Sequence, residues 1–136
     1  MAEEIVLKNL SKDFRDIKAV NGLSFEIQKG ELFGLLGPNG AGKTTTVRML
    51  CGLLAPSSGT ATYGDLDIRR DLPEIKSRIG VCPQEAAVIK FLSGKENIEL
   101  MGKLHGLEKD VIRERTEMLL EQSDFTEAAK RRAKGY

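Results

Sequence analysis

The stretch GPNGAGKTT, Gly37–Thr45, decides how the rest of the sequence is interpreted. It fits the pattern G-x-x-x-x-G-K-[ST], whose four defined positions are filled by Gly37, Gly42, Lys43 and Thr44. The apolar run ELFGLL, residues 31–36, precedes it and predicts a short strand buried on both faces of a sheet. A helical pattern over residues 43–54 follows it. This order of strand, loop and helix is the context the pattern requires, and ordinary composition produces a chance match in roughly 0.5% of such chains.

The residue types in this loop suit the binding of nucleotide phosphates. Consecutive backbone N–H groups can surround crowded negative charges only where no side chains intervene, which explains the glycines. The helix that follows adds its unpaired N–H groups and the positive end of its dipole. Lys43 supplies a positive charge to the β- and γ-phosphates, and the Thr44 hydroxyl suits magnesium. We call this segment the P-loop and expect it to bind a nucleotide through Gly37, Pro38, Asn39, Gly40, Ala41, Gly42, Lys43, Thr44 and Thr45.

Composition excludes several other classes of protein. The 136 residues suffice for one domain. The 21 Lys and Arg residues against 20 Asp and Glu leave a net charge of +1, without the basic excess of a nucleic-acid binder. No apolar run approaches the roughly 20 residues that span a bilayer, and residues 1–9 lack the features of a signal peptide. We therefore expect a cytosolic protein that binds no nucleic acid and does not insert into a membrane.

Local patterns predict further strands and helices around the P-loop. Strands are expected at residues 4–8, 20–28, 60–63, 67–69 and 78–84, and a short helix at residues 71–77. The pattern turns helical from Ser93 onward. The segment LSGKEN, residues 92–97, contains Ser93 and Glu96 at the S-x-x-E spacing of a capping box. We therefore interpret it as a helix start.

The sequence segments around the P-loop resemble those of one protein family. The segment GELFGLLGPNGAGKTTTVRMLCGLLAPSSGTATYGDLDI, residues 30–68, followed by RIGVCPQE, residues 78–85, closely resembles the ATP-binding subunits of ABC transporters. The likeness extends from Leu7 to Tyr136, and FLSGKENIELMGKLHGL and AKRRAKGY fit the branch of drug, antibiotic or lipid exporters. It implies an α/β fold: a P-loop NTPase core with an N-terminal antiparallel β subdomain and a truncated helical subdomain. The β subdomain and the P-loop core are expected at residues 1–92, and the start of the helical subdomain at residues 93–136.

The resemblance also assigns roles to three residues outside the P-loop. Phe14 lies where the family places an aromatic ring that stacks on adenine, and Val20 would lie beside that ring. Without the resemblance, Phe14 would be interpreted as packing at the edge of the N-terminal sheet. Gln84 matches the family's Q-loop glutamine, whose amide can bind magnesium and orient a water. The alternative is a polar residue that merely closes a strand. Residues just after Gln84 are expected to face the membrane partner.

The resemblance also explains why LSGKEN is not the family's signature LSGGQ. The segment comes too soon after Gln84, where the family has a stretch that opens a helix. In the family the signature follows a KGY segment such as residues 134–136, and the magnesium-binding Asp, the water-polarising Glu and the switch His lie further downstream. We therefore expect residues 1–136 to be the N-terminal part of a longer ATPase domain and to be inactive alone.

The implied function is the binding of Mg-ATP and, in the complete and paired protein, its hydrolysis to power export across a membrane. Lys43 and Gln84 are the implied catalytic residues, and Thr44 and Gln84 the implied magnesium ligands. The implied partners are a second ATP-binding subunit in a head-to-tail dimer and a transmembrane permease, on the cytoplasmic face of the membrane. Two alternatives stay open: a non-hydrolytic ATP-binding or regulatory fragment, and another P-loop enzyme such as a phosphotransferase. The CPQ stretch and Phe14 favour the transporter ATPase over the phosphotransferase.

Overall fold

The computed structural model describes residues 4–82 and 88–136. The backbone divides into two compact units, Met1–Val81 and Cys82–Tyr136. Each unit has its own buried interior, so the two are described separately. The domain boundary expected after residue 92 stays a prediction.

The first unit is built on an antiparallel sheet. Its four strands are β1 Ile5–Phe14, β2 Ile17–Ile27, β3 Ser58–Tyr63 and β4 Leu66–Asp67, in the order β2-β1-β3-β4. The first two strands form a hairpin in which Ile5 pairs with Ile27 and Phe14 pairs with Ile17. The antiparallel N-terminal subdomain is thus confirmed. The hairpin is longer than the apolar pattern predicts because its far end consists mainly of exposed residues, which carry no hydrophobic signal.

Apolar side chains from the sheet and two helices form one core in this unit. The helices are α1 Lys43–Leu50 and α2 Leu72–Arg78. The buried cluster consists of Leu7, Leu10, Val20, Met49, Ala61, Tyr63, Ile68 and Ile75. Full burial of a Leu, Met or Ile side chain contributes about 1.5–3 kcal/mol. Because Met49 belongs to α1, the same core holds the helix that follows the P-loop against the sheet.

Helix α1 ends at Leu50, four residues before the predicted end at 54. Gly52 has a φ of 63°, the left-handed conformation that glycine adopts most readily. The Gly52 N–H donates to the Met49 carbonyl and the Leu53 N–H to the Arg48 carbonyl, at 3.0 and 2.9 Å. This pair of bonds is the Schellman motif, which satisfies carbonyls left unpaired at a helix end. Gly52 is therefore the stop signal that the sequence interpretation missed.

Two predicted strands do not form among the described residues. Residues 31–36 form no strand, so that prediction is wrong. Of the strand predicted at residues 78–84, residue 78 ends α2, residues 79–82 form no strand, and residues 83 and 84 lie outside the described residues. Leu32 is fully exposed and Leu36 is 92% exposed, where a strand buried on both faces was expected. The Phe33 ring stacks on Phe25 with the ring centroids 4.8 Å apart, so only part of the segment contacts the sheet. These segments would form only two short strands. An isolated pair of short strands is marginally stable in water, because it has few inter-strand hydrogen bonds and buries little apolar surface.

The second unit is helical. It contains α3 Gly94–Leu104, α4 Lys109–Gln122 and two 3₁₀ turns, Ala128–Lys130 and Ala133–Gly135. The capping box predicted from sequence is confirmed: the Ser93 hydroxyl accepts the Glu96 N–H at 3.2 Å, and the Glu96 carboxylate accepts the Ser93 N–H at 2.7 Å. The backbone hydrogen bond from Ser93 is the main cause that lowers the pKa of Glu96. Across residues 4–82 and 88–136, none of the helices combines the length and apolar character needed to cross a membrane.

Two side chains connect α3 to other segments of this unit. The Asn97 side chain accepts the Ile89 N–H at 2.8 Å and donates to the Ser93 carbonyl at 2.9 Å. The Tyr136 hydroxyl accepts the Gly94 N–H at 3.1 Å and donates to the Ala128 carbonyl at 2.8 Å. The start of α3 is therefore joined both to the segment before it and to residue 136.

Candidate functional site

The P-loop turns from the exposed segment 31–36 into α1. Gly42 is the N-cap of that helix and has a φ of 84°. A Cβ at this position would lie 2.4 Å from the Ala19 carbonyl oxygen and 3.0 Å from a methyl group of Val20. Both the backbone conformation and the close approach to β2 therefore require glycine. This packing requirement adds to the phosphate argument made from sequence.

Lys43 lies over the P-loop. Its ammonium donates to the Gly37 and Pro38 carbonyls at 2.5 and 2.7 Å. Within the described part of the chain no carboxylate pairs with it. Lys43 thus places a positive charge at the opening of the loop, where an anion could bind to it.

The three consecutive threonines at the start of α1 have different environments. Thr46 is buried, and its hydroxyl donates to the Gly42 carbonyl at 2.9 Å. Thr44 is exposed on the first turn, and its hydroxyl forms no hydrogen bond with the described residues. Thr46 therefore has a structural role, while Thr44 offers an oxygen ligand.

The donor set tests whether magnesium suits this site. Magnesium prefers hard oxygen ligands and is usually held by one or two protein oxygens together with phosphates and waters. Among the described residues no group of three His, Cys, Asp or Glu side chains could hold a metal. The exposed Thr44 hydroxyl fits a magnesium ion that takes its other ligands from nucleotide phosphates and water, and does not fit one held by protein alone.

A cleft of about 430 Å³ lies between β2 and the P-loop. Val20, Gly40, Ala41 and Lys43 line it, so the fold brings these four of the sequence-predicted site residues together. Val20 also belongs to the buried core, which fixes the floor of the cleft. The described residues that line the cleft include Lys18 and Lys43 and no carboxylate, a charge balance that favours an anionic ligand.

Phe14 ends β1 at the tip of the hairpin. Its side chain is 46% exposed, and it is absent from both the buried cluster and the cleft lining. The Lys12 ammonium lies over the ring, 5.3 Å from its centroid. Sequence interpretation missed Lys12, although its position two residues before Phe14 in the same strand was the available signal. Gln84 lies outside the described residues.

Comparisons with known proteins identify relatives of this chain. Residues 20–136 match the sequence model of the ABC transporter family. The linearmycin resistance ATP-binding protein LnrL of Bacillus subtilis is 42% identical over 123 residues, which cover 90% of this chain and 40% of that protein. The daunorubicin resistance ATP-binding protein DrrA3 of Streptomyces coeruleorubidus is 38% identical over 97% of this chain and 42% of that protein. The ATP-binding protein NatA of Bacillus subtilis is 39% identical over 97% of this chain and 56% of that protein. The chain thus spans about half the length of these relatives, or less.

Proposed function

Because the chain belongs to the ABC transporter family, we propose that it is the nucleotide-binding part of a subunit that uses ATP to power export across a membrane. The observation that carries the proposal is the P-loop itself. Its glycine N-cap packs against β2, Lys43 lies across its carbonyls, and both border a cleft without carboxylates. Such a site suits a polyphosphate.

The residues of this chain divide the binding of ATP among them. The P-loop amides and Lys43 would hold the phosphates, and Thr44 would hold a magnesium ion that neutralises phosphate charge when bound. The Phe14 ring offers a partly exposed face to the adenine, with Val20 at the floor of the cleft. Gln84 is proposed as a second magnesium ligand that also orients the attacking water.

Hydrolysis by residues 1–136 alone is proposed to be negligible. The described residues lining the cleft include no carboxylate that could accept a proton from water. Gln84 cannot replace one, since an amide does not take up a proton near pH 7. A general base contributes typically 10²–10⁴-fold to such a reaction. Turnover is therefore proposed for the longer protein, paired head to tail with a second ATP-binding subunit.

The relatives suggest the class of transport. LnrL and DrrA3 are named for resistance to linearmycin and daunorubicin. We propose export of a drug-like or antibiotic-like compound by a permease to which this subunit binds on the cytoplasmic face of the membrane. The identity of the compound is proposed to depend on the permease.

The test is ATP binding by calorimetry with the Lys43→Ala variant. Loss of the ammonium should weaken ATP binding by about 1.5–3 kcal/mol, the usual contribution of a hydrogen bond to a charged group, or roughly 10- to 150-fold. Lys76→Ala is the matched control, because Lys76 is an exposed lysine on α2 of the same unit. Equal ATP affinity of wild type and Lys43→Ala would refute the proposed site.

A further inference from the structure

Lys12 has two contacts that fix where its charge lies. Its ammonium lies over the Phe14 ring, 5.3 Å from the centroid, within the distance at which a cation is attracted to an aromatic face. The same ammonium donates to the Ala55 carbonyl at 2.8 Å. The side chain is therefore held at both sides, by the ring and by the backbone of the loop that follows α1.

Neighbouring bonds make this connection rigid. The Asp13 N–H donates to the Ser57 hydroxyl at 3.0 Å, and the Ser57 N–H donates to the Ser11 carbonyl at 2.9 Å. Together with the Lys12 bond, three hydrogen bonds join the end of β1 to the loop after α1. The strand that carries Phe14 is thus connected to the loop after α1, the helix that starts within the P-loop.

We propose that Lys12 is a positioning residue for the base of the nucleotide, acting through Phe14; the proposal rests on the proposed function. An aromatic ring has two faces, and the ammonium covers one of them. The ring is still 46% exposed, and the proposal assigns its opposite face to a stacking base. Lys12 thereby limits the Phe14 ring to one orientation before ATP binds. Less conformational freedom is then lost on binding.

This role differs from that of a phosphate-binding lysine. A lysine that touched phosphates would contribute to the binding of any polyphosphate, with or without a base. Lys12 should contribute only where a base stacks on Phe14. The expected size is two- to fivefold in affinity, the range of an exposed cation–aromatic contact.

The experiment measures binding of MgATP and of inorganic triphosphate by calorimetry to Lys12→Met, in the wild-type and Phe14→Ala backgrounds. Methionine keeps an unbranched side chain and removes the charge. We expect ATP binding to weaken two- to fivefold in the wild-type background, with no change for triphosphate and no further ATP loss in the Phe14→Ala background. Lys12→Arg should restore ATP affinity, since a guanidinium also lies well on an aromatic face.

Several outcomes would overturn the proposal. Equal weakening for ATP and triphosphate would show that Lys12 acts on the phosphates. An equal ATP loss in the Phe14→Ala background would show that the Ala55 bond matters and the ring does not. Unchanged ATP affinity would show that the contact has no effect. Thermal unfolding of each variant identifies any loss of fold, and Lys12→Arg then provides the comparison. Failure of the proposed function is separate: wild type and Lys43→Ala would then bind ATP equally.

Discussion

The interiors of the two units differ in composition. In the described part of the first unit, eight buried apolar residues form one cluster; seven come from the sheet, α1 and α2, and Ile68 lies in the turn after β4. Among the described residues of the second unit, the buried apolar residues are Ile112, Leu120, Ala129 and Ala133, and two of these are alanines. Buried polar groups, Asn97 and Thr116, complete that interior, and no buried side-chain nitrogen or oxygen in the described residues lacks a partner.

This difference shows what each unit depends on. Burial of apolar area is non-directional, so the first unit tolerates a glycine-rich exposed loop beside its core. Among its described residues the second unit buries fewer large apolar side chains, and its Asn97 and Tyr136 side chains form hydrogen bonds with Ile89 and Gly94. Such bonds add little net stability when formed, yet breaking one leaves a buried group unpaired at a cost. The two units should therefore fail under different substitutions.

The largest effect is expected in the core of the first unit. Leu10 is fully buried, so Leu10→Ala should lower the free energy of unfolding of this unit by about 2–5 kcal/mol through lost burial and a cavity. Hydrogen exchange of α3 and α4 should change little. Leu53→Ala is the matched control, because Leu53 is 68% exposed, and it should cost less than about 0.5 kcal/mol. Similar costs for both variants, measured by urea unfolding, would contradict the core assignment.

A smaller effect is expected at the hydrogen-bonding centre of the second unit. Asn97→Ala should destabilise that unit by about 1–3 kcal/mol, because the Ile89 N–H and nearby carbonyls lose their partner. Loss of helical circular dichroism on urea titration measures it. Gln122→Ala, at the exposed end of α4, is the control. If Asn97→Ala unfolds no earlier than the control, hydrogen bonding does not distinguish the two units.

The smallest effect is expected at the start of α3. Ser93→Ala removes the side-chain cap and should cost about 0.5–2 kcal/mol of the second unit's stability. It should leave intact the ATP-driven dimerisation that is proposed for the longer protein, where the variant stays folded. A folded Ser93→Ala variant that no longer dimerises, measured by size-exclusion chromatography with ATP, would show that LSGKEN acts as a signature.

Local signals were sufficient for much of the fold. The capping box at Ser93 and Glu96 could be predicted because its parts lie three residues apart. Gly52 was missed as a helix end, although its left-handed conformation is a local feature. The strands at 31–36 and 78–84 were predicted from apolar runs, but a strand also needs neighbours, which a local run does not provide.

The candidate site shows the same division. The P-loop was predicted from nine consecutive residues, and in the structure it lies beside a cleft. The contacts around Phe14 were not predicted, because the Lys12 bond to Ala55 joins positions 43 residues apart. The bond between Tyr136 and Gly94 likewise spans 42 residues. Such pairs have no recognisable spacing in a single sequence.

Hydrogen exchange of the 136-residue chain with and without MgATP tests the central claim most directly. If the P-loop amides hold the phosphates, ATP should slow exchange at residues 37–45 and leave residues 94–122 of the helical unit unchanged. The Lys43→Ala variant should show much less protection at the same ATP concentration. Protection confined to the helical unit, with none at residues 37–45, would contradict the account.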